Sequence, residues 1–266
     1  MSRRRFYATP EDIDGAVISL SVDETHHLTR VLRLKPGAEV FVFDGHGSEY
    51  RCAFLAVQND RARLEVTGVL SDQVESPVRI TLAQALAKGE KFDLIVQKAT
   101  ELGVDFIVPV LTEHTDVKLS AEDAHKRVDR WRRISLEALK QSGRRHLVGI
   151  TAPLALNDFL DPNKPDSQKL PIATAPTLGT VLVFSEKGGV PVAEVLAQAS
   201  GRSAATILIG PEGGWSESEL ELICERGCNL VTLGPRVLRT ETAAIVAVTL
   251  VQHTLGDLSR ASRFDE

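Results

Sequence analysis

The residues able to do chemistry in this chain cluster in two glycine turns near its carboxyl end. The first runs Leu208-Ile209-Gly210-Pro211-Glu212-Gly213-Gly214-Trp215-Ser216, the second Leu233-Gly234-Pro235-Arg236-Val237-Leu238-Arg239-Thr240-Glu241-Thr242-Ala243. Each follows an aliphatic, strand-like run, turns at Gly-Pro and enters a helix-forming segment. Gly210, Gly213 and Gly214 lack the Cβ that would hold a ligand away from the backbone. Ser216 and Glu219 have the spacing of a capping box, so a helix starts there. The second turn carries a guanidinium, Arg239, and a carboxylate, Glu241. Such groups can stabilise developing negative charge and accept a proton; equally, they can form an ion pair that only shapes the loop. In open parallel sheets ligands bind beyond the carboxyl ends of the strands. Two such turns on successive strands therefore form the two walls of one pocket.

Other chemistries are excluded by what is missing. The phosphate-binding pattern G-x-x-x-x-G-K-[ST] is absent, which argues against nucleoside triphosphate hydrolysis. The dinucleotide fingerprint G-x-G-x-x-G is absent too: Gly45-His46-Gly47 lacks the third glycine and the following helix, which disfavours a nicotinamide oxidoreductase. Cys52, Cys224 and Cys228 are too few for a disulfide framework and are expected as small buried groups, with Cys224 and Cys228 on one helix face. No metal is expected. Adjacent His26 and His27 point apart on a helix and are assigned to packing and surface.

The elements that position the turns change in kind along the chain. Residues 1–75 are expected as a small β-barrel, with strands at Gly15–Val22, Glu39–Asp44, Tyr50–Val57 and Arg61–Val69 and a helix at Asp23–Leu34. Asn59-Asp60 marks the turn between the last two strands. Residues 76–266 alternate strands (Arg79–Gln84, Phe106–Leu111, Leu147–Ile150, Val181–Phe184, Thr206–Ile209, Leu230–Leu233) with helices (Glu90–Leu102, Ala121–Ser142, Val192–Ala199, Glu217–Arg226, Glu241–Thr254). That rhythm implies a parallel sheet covered by helices, an α/β fold. Ser76-Pro77 is the expected joint, and Asp161–Thr180 reads as a loop.

The 266 residues are 43% hydrophobic and 25% charged, ordinary for a globular protein. No apolar run reaches the ~20 residues of a membrane span, and the arginine-rich start is not followed by the apolar core of a signal peptide. No membrane partner and a cytoplasmic location are expected. The net charge is −5, yet residues 118–146 hold nine Lys or Arg against four acids, an excess of five. Lys126, Arg130, Arg133, Lys140 and Arg144 recur at helical spacing and form a basic stripe, joined by Arg145. Arg3, Arg4, Arg5, Arg30 and Arg33 extend it on the barrel. Such a patch on an acidic protein fits phosphate contact at one place, although a solvated surface is the ordinary alternative.

The two turns together, LIGPEGG and LGPRVLRTETA, resemble the paired signature of the uridine-N3 methyltransferases of small-subunit ribosomal RNA, a family of the SPOUT class. His27–Gly45 (HLTRVLRLKPGAEVFVFDG), Lys88–Val104 (KGEKFDLIVQKATELGV) and Glu137–Arg144 (EALKQSGR) resemble further blocks of that family, so the likeness covers nearly the whole chain. The resemblance implies a PUA-like barrel followed by a SPOUT domain with a C-terminal trefoil knot, and a homodimer. It implies S-adenosyl-L-methionine as methyl donor, held by Phe184, Ser185, Ile209, Gly210, Pro211, Glu212, Gly213, Gly214, Leu233, Gly234, Leu238, Thr242 and Ala243. It places Arg239 and Glu241 beside the target base, where Arg239 is expected to stabilise charge on the uracil carbonyls and Glu241 to accept the N3 proton, unless the two only form an ion pair that shapes the loop. The partner implied is 16S ribosomal RNA or the assembled small subunit. Methylation of transfer RNA or another ribosomal position, and a non-catalytic RNA-binding assembly factor, are the alternatives.

Overall fold

The computed structural model describes residues 3–70, 75–115, 120–161, 179–199 and 201–260. They fall into two compact units. The first comprises the chain up to Glu75 together with Leu139–Leu147, the second Ser76–Ala138 and the chain from Val148 onward.

The first unit is built on one mixed sheet. Its strands are β1 (Arg5–Tyr7), β2 (Ile13–Asp14), β3 (Val17–Ser19), β4 (Glu39–Phe43), β5 (Glu49–Gln58) and β6 (Arg61–Leu70), in the order β1-β4-β5-β6-β3-β2. β1 pairs parallel with β4, and the remaining pairs are antiparallel. Asn59 and Asp60, both at positive φ (50° and 60°), close the β5–β6 hairpin, as two-residue hairpin turns require. Alternate residues Val40, Val42, Cys52, Phe54, Ala62 and Leu64 point inward with Phe6, Ile18 and Leu28 to make the core. The expected strand Gly15–Val22 is only β3 (Val17–Ser19), because Gly15, at φ +56°, sits in the turn that joins it to β2, and Val22 begins the following helix. The expected helix from Asp23 begins at Val22 instead, because the Ser21 side chain accepts the Glu24 N–H. It is α1 (Val22–His26), and it widens into a π-turn over His27–Val31.

The second unit is a parallel sheet in the order β10-β8-β7-β13-β11-β14-β12, with β9 pairing β8. Its strands are β7 (Arg79–Ala85), β8 (Phe106–Leu111), β9 (Gly149–Ile150), β10 (Leu154–Ala155), β11 (Thr180–Phe184), β12 (Val190–Pro191), β13 (Ala204–Ile209) and β14 (Asn229–Thr232). Helices α2 (Lys91–Glu101), α3 (Ala121–Ser142), α4 (Leu156–Leu160), α5 (Val192–Gln198), α6 (Glu217–Glu225) and α7 (Thr240–Thr254) alternate with them. The central strands are apolar on both faces, as sheets covered by helices demand: all six residues of β13 are buried. α7 packs on α2, β7 and β13. Its Ala244, Ala247, Val248 and Val251 are buried, while Ile245, Val246 and Leu250 keep partial exposure. The loop expected over Asp161–Thr180 lies mostly outside the described residues. Cys224 proves exposed and Cys228 lies beyond the end of α6, so the expectation of two buried thiols on one helix face is corrected.

Leu139–Leu147 contributes a cluster of buried charge to the first unit. Glu49, 2% exposed, accepts from Arg5 Nε at 2.6 Å and from Arg145 Nε at 3.1 Å. Glu75 receives Arg144 Nε at 2.9 Å and the backbone N–H groups of Arg145 and His146 at 2.8 and 3.0 Å. Burial pushes the Glu75 carboxyl up, but Arg144 and the two backbone donors outweigh it and hold the group below its ordinary 4.5. A carboxyl with a lowered folded pKa stabilises fully above its unfolded pKa, and that contribution is lost as pH falls through the folded value. The urea midpoint is therefore expected to drop as pH is lowered below 4.5, with a smaller drop in Glu75→Gln; equal drops in both proteins would contradict the assignment.

Candidate functional site

The carboxyl ends of four strands lie level in the second unit. Phe184 of β11 is in register with Ile209 of β13 and with Val231 of β14, and Ile209 is in register with Gln84 of β7. Parallel alignment of these ends brings the two glycine turns to the same height above the sheet, where ligands bind in such folds.

Their contacts are specific. Trp215, 3% exposed, donates its indole N–H to the Phe184 carbonyl at 2.8 Å. Its ring lies so close to Gly210 that a Cβ there would stand 2.9 Å from the indole. Gly214 adopts φ +72°, and a Cβ at that residue would meet the Glu186 carboxylate at 2.3 Å. Both glycines are thus required by space or backbone conformation. The capping box is present: the Ser216 hydroxyl accepts the Glu219 N–H while Glu219 accepts the Ser216 N–H.

The second turn is fastened to the first by one side chain. Thr240, at the start of α7, donates its hydroxyl to the Gly210 carbonyl at 3.0 Å. It accepts from the Gln84 side-chain amide at 3.0 Å, and that amide also donates to the Ala85 carbonyl at 3.0 Å. Gln84 is fully buried. A polar residue in the apolar strand β7 therefore locks β7, the first turn and the second turn together.

Between the turns lies a cavity of about 490 Å³, within the roughly 300–1,000 Å³ range of small-molecule sites. Of the expected residues, Phe184, Ser185, Ile209, Gly210, Pro211, Glu212, Leu233, Gly234, Leu238, Arg239 and Ala243 line it. Gly213, Gly214, Thr242 and Glu241 do not. Gly213 faces a neighbouring cavity, and Thr242 is exposed on the helix. Glu241 stands one residue into α7, half-buried, with Oε2 lacking a hydrogen-bond partner. No ion pair joins it to Arg239 among the described residues, so the loop-shaping alternative is not supported. The sequence pattern missed Lys91, Glu186, Trp215, Thr232, Arg236, Val237 and Thr240, which also line the cavity. Trp215 and Thr240 sit inside the quoted motifs. Lys91, at the start of α2, and Glu186, in the loop after β11, arrive from elsewhere in the chain, with Lys91 paired to Glu212 at 2.5 Å.

The basic residues divide by burial. Arg5, Arg144 and Arg145 are at most 8% exposed and engaged with Glu49 and Glu75, and Lys140 pairs with Glu24. These four are corrected from surface contacts to internal ion pairs, because burying a guanidinium or ammonium requires a carboxylate partner. Lys126 pairs with Glu122 and Arg130 with Asp93, both at the surface. Arg3, Arg4, Arg30, Arg33 and Arg133 are exposed and hold no carboxylate among the described residues.

Comparison with known proteins decides the family. A sequence model described as an RNA methyltransferase domain matches residues 74–252, and one described as an RNA methyltransferase PUA domain matches residues 20–67. The chain belongs to this RNA methyltransferase family. It is 36% identical over 255 residues to ribosomal RNA small subunit methyltransferase E of Synechocystis, covering 94% of this chain and 78% of the relative. The Bacillus subtilis protein of the same name is 29% identical, covering 95% and 96%. Among solved structures, ribosomal RNA small subunit methyltransferase E of Neisseria gonorrhoeae, bound to S-adenosyl methionine, superimposes with a TM-score of 0.83 at 32% identity, covering 96% of this chain and 99% of that one. A Legionella pneumophila methyltransferase with bound S-adenosylmethionine gives 0.85 at 31%, covering 97% and 100%.

The Thr240 link is testable in this methyltransferase fold. Thr240→Val keeps the shape but leaves the Gly210 carbonyl and a Gln84 N–H unpaired in a buried place. A loss of about 1–3 kcal/mol in urea unfolding is expected, with Thr240→Ser close to wild type. A neutral Thr240→Val would contradict the role.

Proposed function

We propose that this protein methylates N3 of a uridine in small-subunit ribosomal RNA, using S-adenosyl-L-methionine as the methyl donor. The single observation that carries the proposal is the cavity closed between the two glycine turns. Its wall mixes apolar side chains (Phe184, Ile209, Leu233, Leu238) with the carboxylates of Glu186 and Glu212. That mixture fits a ligand with an aromatic base, ribose hydroxyls and a positive sulfonium. Close backbone at Gly210, where no side chain can stand, fits recognition of the base edge by main-chain groups. The family to which the chain belongs and the donor-bound relatives support the same assignment.

S-adenosylmethionine, when bound, supplies an electrophilic methyl group. The chain's own task is to align the acceptor and ease loss of its imino proton. Alignment is worth ~7–11 kcal/mol in favourable systems. Arg239, on the cavity wall and in no ion pair among the described residues, is assigned to stabilise the negative charge that spreads onto the uracil carbonyls as the proton leaves. Glu241 stands off the wall and takes no direct part, so the N3 proton is assigned to solvent water as it leaves.

Three further features belong to the proposal. The partly exposed apolar side chains Ile245, Val246 and Leu250 on α7 fit burial against a second copy of the chain. A trefoil knot is supported by the path of the chain. β14 lies beyond β11 from β13, and α7 then returns to pack on β7 and β13 with Thr240 held at Gly210. Arg3, Arg4, Arg30, Arg33 and Arg133 remain available for phosphate contact, alongside the surface-paired Lys126 and Arg130. No helix among the described residues is long and apolar enough to cross a membrane, and the substrate proposed is cytoplasmic.

Ribosomal RNA from a strain lacking the protein, digested and analysed by mass spectrometry, is expected to lack one 3-methyluridine that plasmid-borne protein restores. An unchanged nucleoside profile would overturn the proposal, and a missing nucleoside in transfer RNA would move the substrate. In single-turnover assays Arg239→Ala is expected to lose about 10²–10³-fold, the scale of one charge-stabilising donor, while still binding S-adenosylmethionine. Glu241→Gln is expected to stay near wild type. A hundredfold loss there would return the proton to Glu241.

A further inference from the structure

A second cavity, of about 380 Å³, abuts the first and shares Pro211 and Glu212 with it. It lies beyond the carboxyl ends of β7, β8 and β13, and its wall includes Lys88, Glu113, His114 and Gly213. His114 is held there from several directions. Its Nδ1 lies 3.0 Å from the Gly214 carbonyl. The preceding residue's N–H donates to Glu219 of the capping box at 2.8 Å, and the Glu113 carboxylate accepts from Ser218 at 3.1 Å. Gly213 makes room, since a Cβ at that position would stand 3.0 Å from the His114 Cβ. The first glycine turn thus serves both cavities, one on each side of Pro211-Glu212.

A backbone carbonyl only accepts, so Nδ1 carries the proton. In the neutral ring Nε2 then holds the lone pair and needs a donor. The wall carries two carboxylates, Glu113 and Glu212, the latter paired with Lys91, and one lysine, Lys88, so a neutral group with mixed donors and acceptors fits it. An internal RNA uridine has only two donors, N3–H and the ribose 2′-hydroxyl, because its other ribose oxygens are esterified or in the ring. The N3 edge must face the methyl donor. We propose that the second cavity holds the target nucleotide, with His114 Nε2 accepting a hydrogen bond from its 2′-hydroxyl. His114 is then the residue that distinguishes ribose from deoxyribose at the modified position.

This assignment rests on the methyl transfer proposed above. The test is a two-by-two comparison on small subunits reconstituted with RNA that carries either uridine or 2′-deoxyuridine at the methylated position. Single-turnover rates are measured with wild type and His114→Ala, and S-adenosylmethionine binding by calorimetry in parallel. The wild type is expected to lose about tenfold on the deoxy substrate, the rate equivalent of one hydrogen bond. His114→Ala is expected to lose a similar factor on the ribose substrate and nothing further on the deoxy one. His114→Gln, which restores an acceptor oxygen, is expected to regain part of the preference for ribose. A full deoxy penalty in His114→Ala, or none in the wild type, overturns the nucleotide assignment alone. A wild type that neither binds the donor nor methylates the ribose substrate overturns the methyl transfer itself.

Discussion

A single hydroxyl joins the two halves of the site. Thr240 donates a hydrogen bond to the Gly210 carbonyl and accepts one from the buried Gln84 amide, so the start of the last helix is tied to the first glycine turn. Gln84 and Thr240 are buried and Gly210 is partly so, and away from water a hydrogen bond is strong and a missing partner costly. The cavity is therefore fixed before any ligand arrives. What a ligand would otherwise lose in ordering two loops is already settled in folding, which is the basis of tight recognition by small sites. The packing of Trp215 beneath Gly210 and its bond to Phe184 extend the same rigidity to the third wall.

Charge is divided by a comparable logic. The chain carries nine basic residues in one stretch, yet the arginines nearest its end are spent inside the first unit on Glu49 and Glu75. Breaking such a pair leaves an uncompensated buried charge, which costs about 3–5 kcal/mol. These arginines serve the fold. The basic residues left exposed are correspondingly fewer.

The sequence made the architecture legible where pattern and period agree. Phe106–Leu111 and Ala121–Ser142 match the structure at both ends, and the Ser216–Glu219 capping box forms as its spacing predicts. Short strands such as β1, β10 and β12 carry too few residues to show a period, and they form because neighbouring strands offer an edge. The site was legible in part. Both glycine turns reach one cavity because the strands ending at them align. The resemblance put Arg239 and Glu241 at one place, and the structure puts Arg239 alone on the cavity wall, since the first turn of a helix sends nearby side chains in different directions. Gln84 and His114 gave no signal, since each is a lone polar residue whose partners lie about 100 or more positions away. Helical spacing likewise reports which basic residues share a face and is silent on which of them meet a carboxylate from elsewhere in the chain.

The most direct measurement is the electron density of a crystal grown with S-adenosylmethionine. The account predicts the adenosine between Gly210 and Leu238, with Thr240 still bonded to Gly210. Density for the donor at any other place, or turns that separate when it binds, would contradict it.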